Sequence, residues 1–181
     1  MLEIEAKATI ENKEEMEQRI LDAGGKYIRT ETQRDIYFAH PSQDFVKTDE
    51  ALRIRTAGKE HTLTYKGPKL DELTKTREEV ETKLEDAASM AEILKRLGFT
   101  EVAPVIKTRS HYMLGDYLVA IDEVDGLGHF IEVEKHADSY RPEELVELLK
   151  SLGIEESKME RKSYLELLLE KLDLDLRPDV N

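Results

Sequence analysis

The sequence predicts an α+β fold in which eight strands close round a polar tunnel and about four helices cover the outside. Three observations predict it. Period-two alternation recurs in eight separate segments, four further segments carry helical periodicity with end signals, and nearly every strand has one aliphatic face and one face of ionisable groups.

The strands are expected near 2–10, 26–39, 50–57, 61–67, 76–84, 102–114, 116–125 and 129–136. The first helix starts at Asn12 with Glu15 three residues on, shares Met16, Ile20 and Ala23 on one face, and stops at Gly24-Gly25. A second runs from Asp86 through Met90, Ile93, Leu94 and Leu97 to Gly98. A third has Pro142 in its first turn, a stripe of Leu145, Leu148, Leu149 and Leu152, and Gly153 as its stop. A fourth is expected to start at Ser157 with Glu160 three residues on, and to run past Leu165, Leu168 and Leu169. Residues 1–172 are read as one domain and 173–181 as a polar tail.

At 181 residues and 39% hydrophobic, the chain can bury a core. Its formal net charge of −13 argues against general affinity for nucleic acid or anionic membranes, which need a basic surface. There is no cysteine, which excludes disulfides, thiolate metal sites and a thiol nucleophile. The five histidines show no paired zinc-ligand spacing. No apolar run approaches a membrane span and the N-terminus does not read as a secretion signal, so a cytoplasmic location is expected.

Residues 3–7 read EIEAK, and residues 79–83 read EVETK, the same Glu-x-Glu-x-Lys pattern 76 positions later. Each copy is followed by a helix, a glycine stop and a strand holding Arg-x-x-Tyr, at Arg34 and Tyr37 and again, offset by 75, at Arg109 and Tyr112. This suggests duplication of a strand–helix–strand unit. Lys83 sits near its strand end, where a solvated lysine is expected.

Arg53 and Arg55 oppose Leu52 and Ile54; Lys66 opposes Tyr65; Lys107, Arg109 and His111 oppose Ile106, Thr108 and Ser110; Glu132 and Glu134 oppose Ile131 and Val133. A same-sign pair two residues apart on one face is repulsive, and that repulsion becomes useful when something of opposite charge sits between the pairs. If helices cover the aliphatic faces, the charged faces look inward. The lumen then holds a cationic set (Lys7, Arg53, Arg55, Lys66, Lys107, Arg109) and an anionic set (Glu3, Glu5, Glu79, Glu81, Asp122, Glu132, Glu134). Six cations suit a polyphosphate. Carboxylates beside them tolerate phosphate when a hard divalent cation, Mg²⁺ or Mn²⁺, lies between. His111 shares the inward face with Arg109 and is expected to be a hydrogen-bonding neighbour rather than a base, and Tyr37, Tyr65 and Tyr112 are expected to pack in the core or at the rim.

EIEAK at 3–7, LRIR at 52–55, TYKGP at 64–68, REEVE at 77–81, IKTR at 106–109, AIDEVDGLGHFIEVE at 120–134 and KSYLELL at 162–168 together resemble the CYTH superfamily, the triphosphate tunnel metalloenzymes, over about residues 1–170. The resemblance implies an eight-stranded antiparallel closed barrel that binds triphosphates with Mg²⁺ or Mn²⁺. It also implies Glu3, Glu5 and Glu132 as metal ligands with Glu134 and Asp122 in support, catalytic roles for Glu3, Glu5, Lys7 and Asp122, and phosphate contacts from Lys7, Arg53, Arg55, Lys66, Lys107 and Arg109. Glu79 and Glu81 are the further acids of the tunnel. The GLGHFIEVE hairpin and the KSY near the end look most like class IV adenylyl cyclases and their archaeal relatives, while Lys162 stands where some members have arginine. The implied reaction is conversion of ATP to cyclic AMP and pyrophosphate. The alternatives are hydrolysis of thiamine triphosphate or inorganic tripolyphosphate, and non-catalytic polyphosphate or nucleotide binding. The implied partner is a small-molecule triphosphate, with neither nucleic acid nor membrane, and a homodimer is compatible with the sequence.

Overall fold

The computed structural model describes residues 2–70, 74–137 and 141–176. Eight strands, β1 (Leu2–Ile10), β2 (Lys26–Ala39), β3 (Ala51–Ala57), β4 (Glu60–Lys66), β5 (Arg77–Leu84), β6 (Thr100–Leu114), β7 (Tyr117–Val124) and β8 (Gly128–Ala137), lie within two residues of the expected bounds. All neighbours are antiparallel, in the ring order β1-β5-β4-β3-β2-β6-β7-β8.

The ring closes only partially. β1 pairs with β8 along its whole length, from Leu2↔Ala137 to Ile10↔His129, but with β5 only at Leu2↔Glu78 and Glu3↔Arg77. Beyond that seam its free edge is satisfied piecemeal. Lys75 N–H donates to the Glu5 carbonyl (2.8 Å), Glu160 N–H donates to the Lys7 carbonyl (2.8 Å), and Met159 bridges to Ala8. The eight strands therefore form a curled sheet whose gap is filled by two irregular segments.

Around it lie α1 (Lys13–Asp22), α2 (Phe45–Thr48), α3 (Ala87–Arg96), α4 (Pro142–Ser151) and α5 (Tyr164–Leu176). Asn12 and Asp86 cap α1 and α3 by accepting from Glu15 and Ala88 N–H (both 2.9 Å). The two helices stop at Gly24 and Gly98, whose φ values of +91° and +93° are left-handed and cheap only without a Cβ. α2 was not expected from periodicity; it is a single turn capped by Asp44.

The fourth expected helix is displaced. Glu156–Lys158 is a 3-10 turn, and Met159 and Glu160 are held against β1, so no helix can run through them. The capping box belongs to Ser163 and Glu166: Glu166 N–H donates to Ser163 Oγ (3.2 Å) and Ser163 N–H to Glu166 Oε2 (2.6 Å). α5 continues to Leu176, into the expected tail, and 177–181 lie outside the described residues.

The aliphatic faces pack under the helices as expected. Ile4, Ala6, Ala8, Ile131 and Val133 meet Met16 and Ile20 of α1 and Leu145 and Leu149 of α4, while Ile54 and Phe38 meet Ala91 and Leu94 of α3. α5 differs. Tyr164 and Leu165 join Tyr37, Val105, Val124 and Phe130, which belong to the inward faces of their strands, so the start of this helix lies against one end of the barrel.

The repeated unit is present as order but not as register. β1-α1-β2 and β5-α3-β6 share the strand–helix–strand arrangement, and α1 and α3 are both 10 residues long. The Arg-x-x-Tyr match, however, does not superpose. The matched residues take opposite faces: Arg34 is exposed on the outside and Arg109 is buried inside, while Tyr37 faces inward and Tyr112 packs in the outer core.

Candidate functional site

The inward faces supply the site. Strand alternation sets Glu5 and Lys7 of β1 beside Glu134 and Glu132 of β8, in the register Glu5↔Glu134 and Lys7↔Glu132. On the opposite arc it sets Asp35 beside Arg55, Arg109 beside Asp122, and Lys66 beside Glu79.

The same-sign pairs are resolved within the protein. Asp35, 2% exposed, is gripped by Nε and Nη2 of Arg55 (2.7 Å each) and lies 3.4 Å from Arg53. Asp122, fully buried, takes Arg109 Nε (2.6 Å), Lys107 Nζ (3.0 Å) and the Tyr164 hydroxyl (2.8 Å). Arg109 also reaches Glu132. Each cation pair thus has a central aspartate, and no ligand is needed merely to keep the pair folded. The arrangement holds the cations in fixed directions on the tunnel wall before any ligand arrives.

The acids and bases tune one another. Burial alone would raise the Asp35 carboxyl, but Arg53 and Arg55 outweigh it and hold it well below the usual carboxylate range. Burial would likewise raise Glu132, and Arg109 and Lys107 bring it well below. Lys107 is pushed down to about 8 by burial and by the neighbouring Arg109 charge.

Glu5, Arg53, Arg55, Lys66, Glu79, Glu81, Lys107, Arg109, Glu132 and Glu134 all line one cavity of about 720 Å³, within the range of small-molecule sites. Asp35, Lys75, Arg77 and Tyr164 line it too. Glu79 pairs with Lys66 (2.7 Å), and Glu81 accepts from the Thr64 hydroxyl (2.9 Å). Glu3 holds its backbone place in β1, and its side chain lies outside the described residues.

Two expected site residues sit behind the wall. Lys7, 2% exposed, donates to the Lys162 carbonyl and places Nζ 4.0 Å from the centre of the Tyr164 ring. Burial, then the Lys75 charge, lowers it to about 7. Asp122 is covered by Arg109, Lys107 and Tyr164, all three of which donate to its carboxylate. Lys162 contributes its carbonyl, while its ammonium pairs outside with Glu170 (2.7 Å). His111 stands 3.1 Å from Glu31, a neighbour as expected, and Tyr65 donates to Glu50 at 2.5 Å.

Asp35, Lys75, Arg77 and Tyr164 were missed. Asp35 was visible as the next inward position after Glu31 and Gln33 on β2, but a lone acid in a strand carries no pattern. Lys75 lies outside any strand, and Arg77 opens β5, where its guanidinium donates to the Gly67 carbonyl (3.2 Å). Tyr164 falls inside the helix expected from Ser157, where an aromatic reads as packing.

Among the described residues, no three acids or histidines converge on a point as a ready metal cage. The donor set nevertheless fits a hard divalent cation. Glu5 and Glu134 are directly opposed, and Glu132 is the next inward residue on β8. Opposed like charges are unfavourable unless a cation lies between, and carboxylate oxygens are the ligands Mg²⁺ and Mn²⁺ prefer. The cation found there is the Lys75 ammonium, 2.5 Å from Glu5 and 3.8 Å from Glu132.

The CYTH domain model matches residues 1–164, which include all eight strands of the barrel. The chain belongs to the CYTH family. A Methanocaldococcus jannaschii protein provisionally named an adenylate cyclase is 45% identical over 172 residues, which cover 92% of this CYTH chain and 98% of that protein. The adenylate cyclase CyaB of Aeromonas hydrophila is 28% identical over 151 residues, 79% of this chain and 75% of that one. Among solved structures, the PH1819 protein of Pyrococcus horikoshii shares the fold at a TM-score of 0.86 and 44% identity, covering 93% of this CYTH chain and 99% of that one.

Proposed function

We propose that this CYTH protein is a metal-dependent enzyme that acts on an organic triphosphate inside its tunnel, converting ATP to cyclic AMP and pyrophosphate. The observation that carries the reading is one cavity walled by Arg53, Arg55, Lys66, Lys107 and Arg109 on one arc and by Glu5, Glu132 and Glu134 on the other. The cyclase names of two relatives support the choice of reaction. The same cavity is also lined by Tyr37, Phe38, Phe45, Val46, Leu165 and Leu169, apolar surface that favours a substrate with an organic group over bare tripolyphosphate.

Arg53, Arg55, Lys66, Lys107 and Arg109 would bind the phosphate oxygens and take up the charge that grows on the leaving pyrophosphate as the 3′-hydroxyl oxygen attacks the α-phosphorus. Glu5, Glu132 and Glu134, with Glu3, would hold Mg²⁺ or Mn²⁺; when bound, the ion supplies Lewis-acid stabilisation of the reacting oxygens. Asp35 and Asp122 would keep the guanidinium forks aimed, a positioning role. Because positioning and electrostatics dominate, hydrolysis could use the same groups with water in place of the hydroxyl.

The test is product identification after incubation with Mn²⁺ and, separately, ATP, thiamine triphosphate and tripolyphosphate. Cyclic AMP with pyrophosphate is the expected outcome. Orthophosphate from any of the three would replace the cyclase reading with hydrolysis, and tight binding without turnover would make the protein a sensor.

A further inference from the structure

The Lys75 ammonium occupies the carboxylates that the preceding reading assigns to the metal. It lies 2.5 Å from Glu5 Oε1 and 3.8 Å from Glu132 Oε1, with its side chain 10% exposed. Its backbone is fixed: the N–H donates to the Glu5 carbonyl (2.8 Å), and the flanking Thr74 and Thr76, both buried, bond to each other through their hydroxyls (2.7 Å). Only the four-carbon arm is left to move. Lys7, the other ammonium on this wall, is turned away to the Lys162 carbonyl, and Arg109 is committed to Asp122 as well as to Glu132. Lys75 therefore supplies the cation that Glu5 meets in the ligand-free protein.

An ammonium and a divalent cation cannot share these carboxylates, because they repel each other and compete for the same oxygen lone pairs. We propose that Lys75 is an internal counter-ion that keeps divalent metal off Glu5 and Glu132 until phosphate oxygens draw its ammonium away. The inference rests on the reading in which those two acids hold the metal. It makes metal and triphosphate binding mutually reinforcing, since each removes the obstacle to the other. It also offsets part of the negative charge of the acid wall when the tunnel is empty.

The test uses the full chain and Mn²⁺ alone, following the free-ion signal by electron paramagnetic resonance during titration. Lys75→Met should bind Mn²⁺ at least about tenfold more tightly than the unaltered protein, a change of about 1.4 kcal/mol. Lys75→Gln, which keeps a donor for Glu5, should tighten binding in the same direction and serves where the methionine variant does not fold. Lys75→Arg, retaining the charge, should bind as weakly as the parent. A merely structural lysine would give the reverse, weaker binding on its removal. Equal or weaker Mn²⁺ affinity in folded Lys75→Gln, together with loss of binding in Glu132→Gln, would overturn the role of Lys75 and leave the metal site standing. Mn²⁺ affinity indifferent to Glu132→Gln in every background would overturn the metal site and the inference with it.

Discussion

The two copies of Glu-x-Glu-x-Lys meet opposite fates. In β1 the lysine, Lys7, is 2% exposed beneath Tyr164, and Glu5 is 7% exposed against Lys75. In β5 the lysine, Lys83, has an 84% exposed side chain near Glu60, and Glu81 sits at the rim on a threonine hydroxyl. The five residues are of nearly the same type. The difference is the neighbouring strand: β1 runs beside the acids of β8, whereas β5 runs beside β4, whose positions opposite Glu81 and Lys83 are Thr64 and Thr62. A motif thus acquires its chemistry from its cross-strand partners.

The largest expected break between the copies is catalytic. Glu5→Gln should reduce turnover to background while leaving the far-UV circular dichroism unchanged, and Glu81→Gln should leave most of the activity. Near-equal rates in the two variants would end the distinction. Next comes the cationic arc. Arg55→Ala removes a bidentate partner and leaves Asp35 buried with only Arg53, so it should cost about 3–5 kcal/mol of stability. Triphosphate affinity, measured by calorimetry in a folded Arg55→Lys variant, should also fall, because one ammonium cannot replace the fork.

A pH comparison is sharper and smaller. Lys107 is held at about 8, so triphosphate binding should weaken as pH rises through 8 and its ammonium is lost, and Lys107→Arg should flatten that fall. Lys7, lowered to about 7 in the folded chain, binds less proton there than in the unfolded chain up to its usual value near 10.5. Stability should therefore rise with pH between about 7 and 10, a slope that Lys7→Met removes from denaturant midpoints. Lys83→Ala, the matching change in β5, should shift stability by no more than about 0.5 kcal/mol at any pH.

Strand alternation made the barrel legible, since each inward face carries charge and each outward face aliphatics, and the caps Asn12 and Asp86 with the stops Gly24 and Gly98 fixed two helices. The helix at Ser157 was misread because tertiary pairing of Met159 and Glu160 with β1 overrides a local cap signal. Most of the site's charges were readable for the same reason as the strands. The pairing rule among them was not: Asp35 and Asp122 neutralise residues from other strands, and alternation within a strand does not give the cross-strand register. Lys75 was hidden further still, because an irregular segment has no period from which an inward direction could be read. The Arg-x-x-Tyr repeat shows the converse hazard, a sequence match whose two copies take opposite faces of their strands.

The patchwork along the free edge of β1 also bears on how the molecule is made. During synthesis the first strand emerges with its long partner, β8, more than a hundred residues behind it, and Met159 and Glu160 later still. Until those segments leave the ribosome, β1 has no extended sheet to join, and such distant pairing is slow to find. The acid wall is consequently the last part of the barrel able to assemble, so a nascent or truncated chain would present its cationic arc before Glu5 and Glu132 had come together.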